Sequence, residues 1–206
     1  MNQHPLYQKA QYLKSAPNLS HCPEDQGYEV AFAGRSNAGK SSALNVICSQ
    51  KSLARTSKTP GRTQMINYFQ LDEQRSLIDL PGYGFAKVNV KVKRVWEAGL
   101  SDYIEQRQAL KGLILMMDVR HPLQPLDVLM LDWCAELKLP IHILLTKADK
   151  LSRNQANQAW LQLNKHLQDK YPLASVQLFS SLNKQGLEQA WQQLDSWFDY
   201  SLEDRP

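Results

Sequence analysis

The run GRSNAGKS at Gly34–Ser41 restricts the possible folds of this chain more than any other feature of its sequence. It matches the phosphate-binding pattern GxxxxGK followed by Ser or Thr. An apolar run, Glu29–Gly34, precedes it, and a segment with a helical pattern, Lys40–Cys48, follows it. The pattern binds phosphate where a buried strand ends in a tight turn and a helix begins, because backbone N–H groups there point at the ligand. The sequence therefore predicts a strand–loop–helix unit.

Strand and helix patterns alternate along the rest of the chain. Further strand patterns cover Met65–Leu71, Arg75–Leu80, Gly112–Asp118, Pro140–Lys147 and Ser175–Ser181. Helical patterns cover Val92–Gln108, Asp127–Leu137, a segment from the N-cap Ser152 to Lys170, and Gly186–Tyr200. The first two of these strands pair across a short turn. This order predicts an α/β fold in three layers, with a mostly parallel six-stranded sheet, one antiparallel edge strand and helices on both faces.

Length and composition predict one domain. The 206 residues include 43% hydrophobic residues, and neither an internal repeat nor a linker divides them. We expect an N-terminal extension over residues 1–24, the main domain over 25–200 and a tail over 201–206. The sequence has no apolar run of about 18 residues and no signal-peptide pattern, which predicts a cytoplasmic protein. The three cysteines lie far apart, which favours reduced thiols over disulfides or a zinc site.

The residue types in the phosphate-binding loop suit the binding of nucleotide phosphates and Mg²⁺. Backbone N–H groups from Asn37 to Lys40 can surround a β-phosphate, and Lys40 can reach the β- and γ-phosphates. The Ser41 hydroxyl suits Mg²⁺, and glycine at 34 and 39 lets the backbone approach the ligand. The predicted nucleotide-binding residues in this loop are Gly34, Arg35, Ser36, Asn37, Ala38, Gly39, Lys40, Ser41 and Ser42.

A second motif, DLPG, ends the strand pattern Arg75–Leu80 and supplies Asp79, Leu80, Pro81 and Gly82. Asp79 can hold Mg²⁺ through a water molecule, and the Gly82 N–H can bind a γ-phosphate. A DxxG pattern by itself is more often a simple turn. Its place at a strand end downstream of the phosphate-binding loop favours the functional interpretation.

Two further strand ends predict selection of guanine. In TKAD, Thr146 to Asp149, the carboxylate of Asp149 can accept the paired N1–H and 2-amino donors that guanine has and adenine lacks. The stem of Lys147 can lie along the base, and Ala148 stands between them. Backbone N–H groups of Ser180, Ser181 and Leu182 can reach the guanine O6, and Phe179, Ser180 and Ser181 are predicted nucleotide-binding residues. Taken alone, each pattern could equally mark an ordinary loop.

These motifs in this order resemble the translation-factor-related GTPases and, more narrowly, the EngB (YihA/YsxC) family of bacterial ribosome-assembly GTPases. The matching segments are GRSNAGKSS (Gly34–Ser42), SKTPGRTQMINYF (Ser57–Phe69), DLPGYGFAKV (Asp79–Val88), TKAD (Thr146–Asp149) and FSSL (Phe179–Leu182). The resemblance extends from about residue 6 to residue 200. It implies a single P-loop G domain that binds GTP, GDP and Mg²⁺, acts in late assembly of the large ribosomal subunit, and is needed for normal cell division and septation.

The resemblance also implies a first switch segment. Its nucleotide-binding residues would be Gly61, Arg62, Thr63, Gln64 and Met65. Thr63 would complete the Mg²⁺ ligands with Ser41 and sense the γ-phosphate, although Thr59 is an alternative on chemistry alone. Lys40, Thr63 and Gly82 are then the predicted catalytic residues. In related GTPases an Asn at the position of Asn37 helps to hold K⁺, which makes K⁺ a further candidate ion.

Two positions depart from the wider GTPase pattern. Thr146 stands where Asn is usual in the base motif, so base affinity is expected to be modest. Tyr83 follows Gly82, where Ras-like proteins carry the Gln that positions water. An aromatic ring cannot activate water by hydrogen bonding, so we expect slow GTP hydrolysis.

Two long segments without acidic residues, Val30–Leu71 and Leu80–Trp96, predict a polyanionic partner. The second contains Lys87, Lys91, Lys93 and Arg94. The expected partner is ribosomal RNA of the large subunit, with no DNA and no membrane, and the protein is expected to be a monomer. Two other functions stay open at this point: a P-loop nucleotide kinase or ATPase, and a GTP-binding cell-division scaffold with negligible hydrolysis and no role on the ribosome.

Overall fold

A computed structural model describes residues 3–54, 65–83 and 100–201 of the chain. Its strands are β1 (Gln11–Ala16), β2 (Tyr28–Gly34), β3 (Ile66–Gln70), β4 (Arg75–Asp79), β5 (Leu110–Asp118), β6 (Ile141–Thr146) and β7 (Ala174–Leu178). Its helices are α1 (Lys40–Ile47), α2 (residues 100–106), α3 (Pro125–Glu136), α4 (Arg153–Lys170) and α5 (Leu187–Trp197). The predicted helix Val92–Gln108 is therefore seen only in part, since residues 84–99 lie outside the described ranges.

In the described part of the chain, seven strands form one sheet in the order β1-β3-β4-β2-β5-β6-β7. Strand β2 is parallel to β4 and β5, and β6 is parallel to β5 and β7. Strand β3 runs antiparallel to both of its neighbours, β1 and β4. The predicted α/β class and the mostly parallel sheet with one antiparallel strand are confirmed.

The predicted number of six strands is wrong, because residues 11–16 add a seventh strand. Strand β1 takes the edge, so the antiparallel strand β3 lies one position inside it. The side chains of Gln11–Lys14 are exposed and show no alternating apolar pattern, so no local pattern indicates a strand here. Backbone pairing with β3 determines it, and the Ser15 hydroxyl donates to Asn67 Oδ1 at 2.6 Å. The pairing register shifts between Tyr12 and Lys14, as in a β-bulge.

Apolar side chains fill the space on both faces of the sheet. One cluster joins the sheet to α1 and α5 and includes Phe32, Leu44 and Leu194. The other joins it to α2, α3 and α4 and includes Leu131 and Leu163. Helices thus cover both faces, which confirms the three layers. Among the described residues, no helix has the combined length and apolar character that crossing a membrane would need.

The two ends of the described chain meet at α5. The Tyr7 hydroxyl donates to Asp195 Oδ1 at 2.5 Å, and His4 Nε2 lies 3.0 Å from Asp195 Oδ2. The Arg75 side chain of β4 donates to the Phe198 carbonyl at 2.9 Å. These contacts place the first residues against the last helix, while the proposed boundaries at residues 24 and 200 stay predictions.

A buried ion pair fixes the start of β2, the strand that leads to the phosphate-binding loop. Arg107 donates to both Glu29 carboxylate oxygens, at 2.6 and 3.0 Å, and its side chain is 3% exposed. The Tyr103 hydroxyl adds a third donor to Glu29 at 2.6 Å. Arg107 also donates to the Pro23 carbonyl at 2.9 Å. The pair therefore joins β2 to α2 and to the segment before β2.

We expect Glu29→Ala to lower the free energy of unfolding by about 3–5 kcal/mol, because it leaves the buried Arg107 charge with only the more distant Asp25 carboxylate, at 3.5 Å. Urea unfolding followed by circular dichroism measures this loss. Asp132→Ala is the matched control, since Asp132 forms a more exposed pair with Lys170 at 2.8 Å. Similar losses in the two variants would contradict the prediction.

Candidate nucleotide-binding site

Four predicted motifs meet at one edge of the sheet, where the parallel strands have their carboxyl ends. Strand β2 ends at Gly34, β4 at Asp79, β6 at Thr146 and β7 at Leu178. In open α/β sheets this edge is where ligands bind. The fifth motif, residues 61–64 with Thr59 and Thr63, lies outside the described residues, and Met65 comes directly before β3.

The phosphate-binding loop has the backbone that its glycines permit. Gly39 has φ +97° and forms the N-cap of α1, and Asn37 also has a positive φ, of 68°. At Gly34 a Cβ atom would lie 2.8 Å from the Cβ of Met116 on β5, which is closer than packed carbons allow. The Ala38 N–H donates to the Arg35 carbonyl at 2.9 Å. The loop is thus a tight turn held against the central strands.

Lys40 and Asp79 meet at the phosphate end of the site. The Lys40 ammonium donates to Asp79 Oδ1, and each side chain is 12% exposed. Asn67 lies near the other carboxylate oxygen, with its Nδ2 at 3.4 Å from Asp79 Oδ2. The Leu80 N–H donates to the Phe32 carbonyl at 3.0 Å, so DLPG is bound to β2. The Asp79 carboxylate and the Ser41 hydroxyl are oxygen donors of the kind that Mg²⁺ prefers.

Asp149 and Ser180 meet at the other end of the site. The fully buried Ser180 hydroxyl donates to Asp149 Oδ1 at 2.5 Å, and Lys150 Nζ lies 3.5 Å from Oδ2. The Ser180 hydrogen bond, with Lys150 as a smaller cause, holds the pKa of Asp149 below its usual value. Asp149 is therefore ionised at neutral pH and can accept paired N–H donors.

We did not predict this role of the Ser180 side chain from the sequence. We expected the Ser180 and Leu182 N–H groups to reach guanine. The first donates instead to the Gln185 carbonyl at 3.1 Å, and the second donates to the Ser180 hydroxyl oxygen at 3.2 Å. Ser180 thus acts through Asp149, while the role of the Ser181 N–H stays a prediction. The two loops are also joined by the Ala148 N–H, which donates to the Phe179 carbonyl at 3.1 Å. A hydroxyl after β7 and a carboxylate after β6 are the only signals that could have suggested the pair.

Thr146 and Lys147 join the base motif to the phosphate-binding loop. The Thr146 hydroxyl lies 2.6 Å from the Ala38 carbonyl oxygen and is buried. Lys147 has a positive φ of 60°, and its ammonium donates to the Asn37 carbonyl at 2.7 Å. Thr at position 146 therefore retains a direct link between the motifs. Asp118, for which no sequence pattern indicates a role, lies 3.0 Å from the Lys147 ammonium.

Comparison with known proteins agrees with this arrangement. The family model described as "50S ribosome-binding GTPase" matches residues 29–147. The "Probable GTP-binding protein EngB" of Hydrogenovibrio crunogenus is 66% identical over 198 residues, which cover 96% of this chain and 93% of that protein. The protein of the same name from Nitrosococcus oceani is 59% identical over 192 residues, covering 93% and 96%. The chain belongs to the EngB family.

Solved structures agree on the fold of this EngB family member. A crystal structure of "a probable GTP-binding protein engB" aligns with a TM-score of 0.65 and 20% identity, covering 84% of this chain and all of that one. Era, solved with MgGDPNP and a fragment of 16S ribosomal RNA, aligns with a TM-score of 0.61 and 20% identity, covering 84% and 57%. Identities this low support the shared fold alone.

In this EngB family member, Tyr83 lies in the core beside the phosphate-binding loop. Its carbonyl accepts the Ser36 N–H at 2.9 Å, its N–H donates to the Gly34 carbonyl at 3.3 Å, and the residue is 3% exposed. Its hydroxyl donates to Asp127 Oδ1, in the first turn of α3, at 3.0 Å. The side chain is therefore occupied inside the domain. Burial raises the pKa of Asp127, although the hydrogen bonds from the Tyr83 hydroxyl and the Gln124 N–H oppose the shift.

The raised pKa of Asp127 predicts a pH dependence of stability. The folded state binds this proton more tightly than the unfolded state, so the contribution of Asp127 is present at low pH and is lost as pH rises through the folded-state pKa. Asp127→Asn removes the titration. We expect the stability of this variant relative to the wild type to increase as pH rises above the unfolded-state pKa of about 3.9, as measured by urea unfolding at a series of pH values.

Asp132→Asn provides a control of opposite sign. Its hydrogen bond with Lys170 lowers the pKa of Asp132, so the contribution of that carboxylate is lost as pH falls. The Asp132→Asn variant should therefore lose stability relative to the wild type as pH rises. A difference between Asp127→Asn and the wild type that is constant or decreases with pH would show that the Asp127 pKa is not raised.

Proposed function

We propose that the protein binds GTP and GDP through this site and hydrolyses GTP slowly in the presence of Mg²⁺. The observation that carries the proposal is the Asp149–Ser180 contact on the same sheet edge as the Lys40–Asp79 pair. An ionised carboxylate accepts both the N1–H and the 2-amino group of guanine, whereas adenine has no such pair of donors. Membership of the EngB family supports the same assignment.

The phosphate end of the site fits Mg²⁺ and GTP hydrolysis. Ser41 and Thr63 would hold the ion directly and Asp79 through water, and the ion would neutralise phosphate charge. Lys40 would stabilise charge on the β- and γ-phosphates, and the Gly82 N–H would bind the γ-phosphate. We propose a low intrinsic rate because the buried Tyr83 hydroxyl donates to Asp127 and does not position water. K⁺ near Asn37 stays a further candidate.

Substitution of Asp149 tests the assignment of guanine. Asp149→Asn loses one acceptor for guanine but offers an amide N–H to the 2-oxo group of xanthine. We expect GDP affinity to fall by about 100-fold or more, because one guanine donor loses its acceptor and an unpaired polar group inside a binding site is costly. Xanthosine diphosphate affinity should rise, because its 2-oxo group gains a donor. Fluorescent-nucleotide titration measures both affinities, with ADP as the adenine control. Wild-type protein that binds ADP as tightly as GDP would refute the assignment.

We propose further that the nucleotide controls binding to the large ribosomal subunit during its late assembly, in the cytoplasm and as a monomer. Support comes from the family description "50S ribosome-binding GTPase" and from the basic segments that include Lys91, Lys93 and Arg94. Attraction to RNA phosphate would supply much of the affinity. The resemblance to the EngB family also implies a need for the protein in normal cell division and septation.

Co-sedimentation with large ribosomal subunits tests this second step. We expect the protein to bind the subunits with a non-hydrolysable GTP analogue and to bind them more weakly with GDP. The binding should fall steeply as the salt concentration rises. Charge reversal of Lys91, Lys93 and Arg94 should weaken it and spare nucleotide binding. The control reverses three exposed lysines elsewhere, Lys9, Lys138 and Lys165. Binding in neither nucleotide state would favour the cell-division scaffold instead.

A further inference from the structure

Asp118 is held by two cations at the carboxyl end of β5. Its Oδ1 accepts the Arg120 backbone N–H at 3.0 Å and Arg120 Nε at 2.9 Å. Its Oδ2 accepts Arg120 Nη2 at 2.6 Å and lies 3.0 Å from the Lys147 ammonium. Hydrogen bonds from Arg120, and then from Lys147, hold the pKa of Asp118 well below its usual range. The carboxylate is therefore a fixed negative charge beside the base motif.

Two contacts of the ammonium group, with Asn37 and with Asp118, hold the Lys147 side chain in place. Strand pairing places Asp118 opposite Thr146, the residue just before Lys147. The ammonium then lies between the Asn37 carbonyl of the phosphate-binding loop, at 2.7 Å, and Asp118. A lysine side chain has many rotamers in solution, and holding it in one costs entropy. Two anchors at the ammonium hold the whole stem in a single path across the loop.

We propose that Asp118 is a positioning residue for nucleotide binding and that it acts through Lys147. This inference rests on the proposed function, in which the Lys147 stem lies along the base. A stem that is held before the nucleotide arrives loses less entropy on binding, so the complex is more stable. Because the Asp149 carboxylate still accepts the guanine donors, Asp118 affects how long the nucleotide stays bound more than which base is chosen.

The experiment measures release of a fluorescent GDP analogue from the full chain in a double-mutant cycle. Asp118→Asn keeps the side-chain shape and removes the charge. Lys147→Met keeps an apolar stem and removes the ammonium on which Asp118 acts. We expect Asp118→Asn to speed release by about threefold to tenfold, since a charge-assisted hydrogen bond is weakened. In the Lys147→Met background the same change should have less than about a twofold effect.

Asp132→Asn is the matched control. Asp132 on α3 also pairs with a lysine, Lys170 on α4, at 2.8 Å, but this pair is not part of the candidate site. This control should leave GDP release unchanged in both backgrounds. If Asp118→Asn speeds GDP release equally with and without the Lys147 ammonium, the inference is overturned. The carboxylate would then act only through its hydrogen bonds with Arg120. Unchanged release in Asp118→Asn alone would overturn it as well. Failure of the wild type to bind GDP would instead refute the proposed function, and the inference with it.

Discussion

The candidate site depends on the parallel pairing of β2 with strands on both of its sides. Pairing with β4 places Phe32 opposite Asp79, and pairing with β5 places Gly34 opposite Met116. This register brings the phosphate-binding loop and the DLPG segment to the same height at one sheet edge. It also explains why a side chain at position 34 is excluded, since the Met116 Cβ occupies that space. A shift of one residue would separate Lys40 from Asp79 and turn every β2 side chain to the opposite face.

The phosphate-binding loop is joined to the base motif through two of its own carbonyl groups. The carbonyls of Asn37 and Ala38 accept hydrogen bonds from Lys147 and Thr146. Peptide groups whose oxygens are bound on one side have their N–H groups directed to the other, because the peptide unit is planar. In this way the Thr146 contact with the Ala38 carbonyl helps to orient the Gly39 N–H, whereas the Ala38 N–H itself donates to the Arg35 carbonyl. The two halves of the site support each other even though more than a hundred residues separate them in the chain.

Local sequence patterns predicted the elements that carry strong signals. The GxxxxGKS run located β2 and α1, and Ser152 correctly marked the start of α4, where it forms a capping box with Gln155. Strand β1 was missed because its exposed side chains have no pattern, and tertiary pairing alone makes it a strand. The contacts of Ser180 with Asp149 and of Asp118 with Lys147 were missed for a related reason. Each needs knowledge of which strands are neighbours, and single-strand patterns do not contain it.

The bulge in β1 has a consequence for the behaviour of the protein at high concentration. A regular strand at a sheet edge offers a row of free peptide groups on which another chain can build, and this is a common start of aggregation. In β1 the pairing passes from Tyr12 directly to Lys14, so Leu13 interrupts the regular spacing of the ladder. The exposed Lys14 adds a charge at the same place. The strand that completes the sheet thereby presents an interrupted row of peptide groups to a second molecule, beside the exposed Tyr12 and Leu13 side chains.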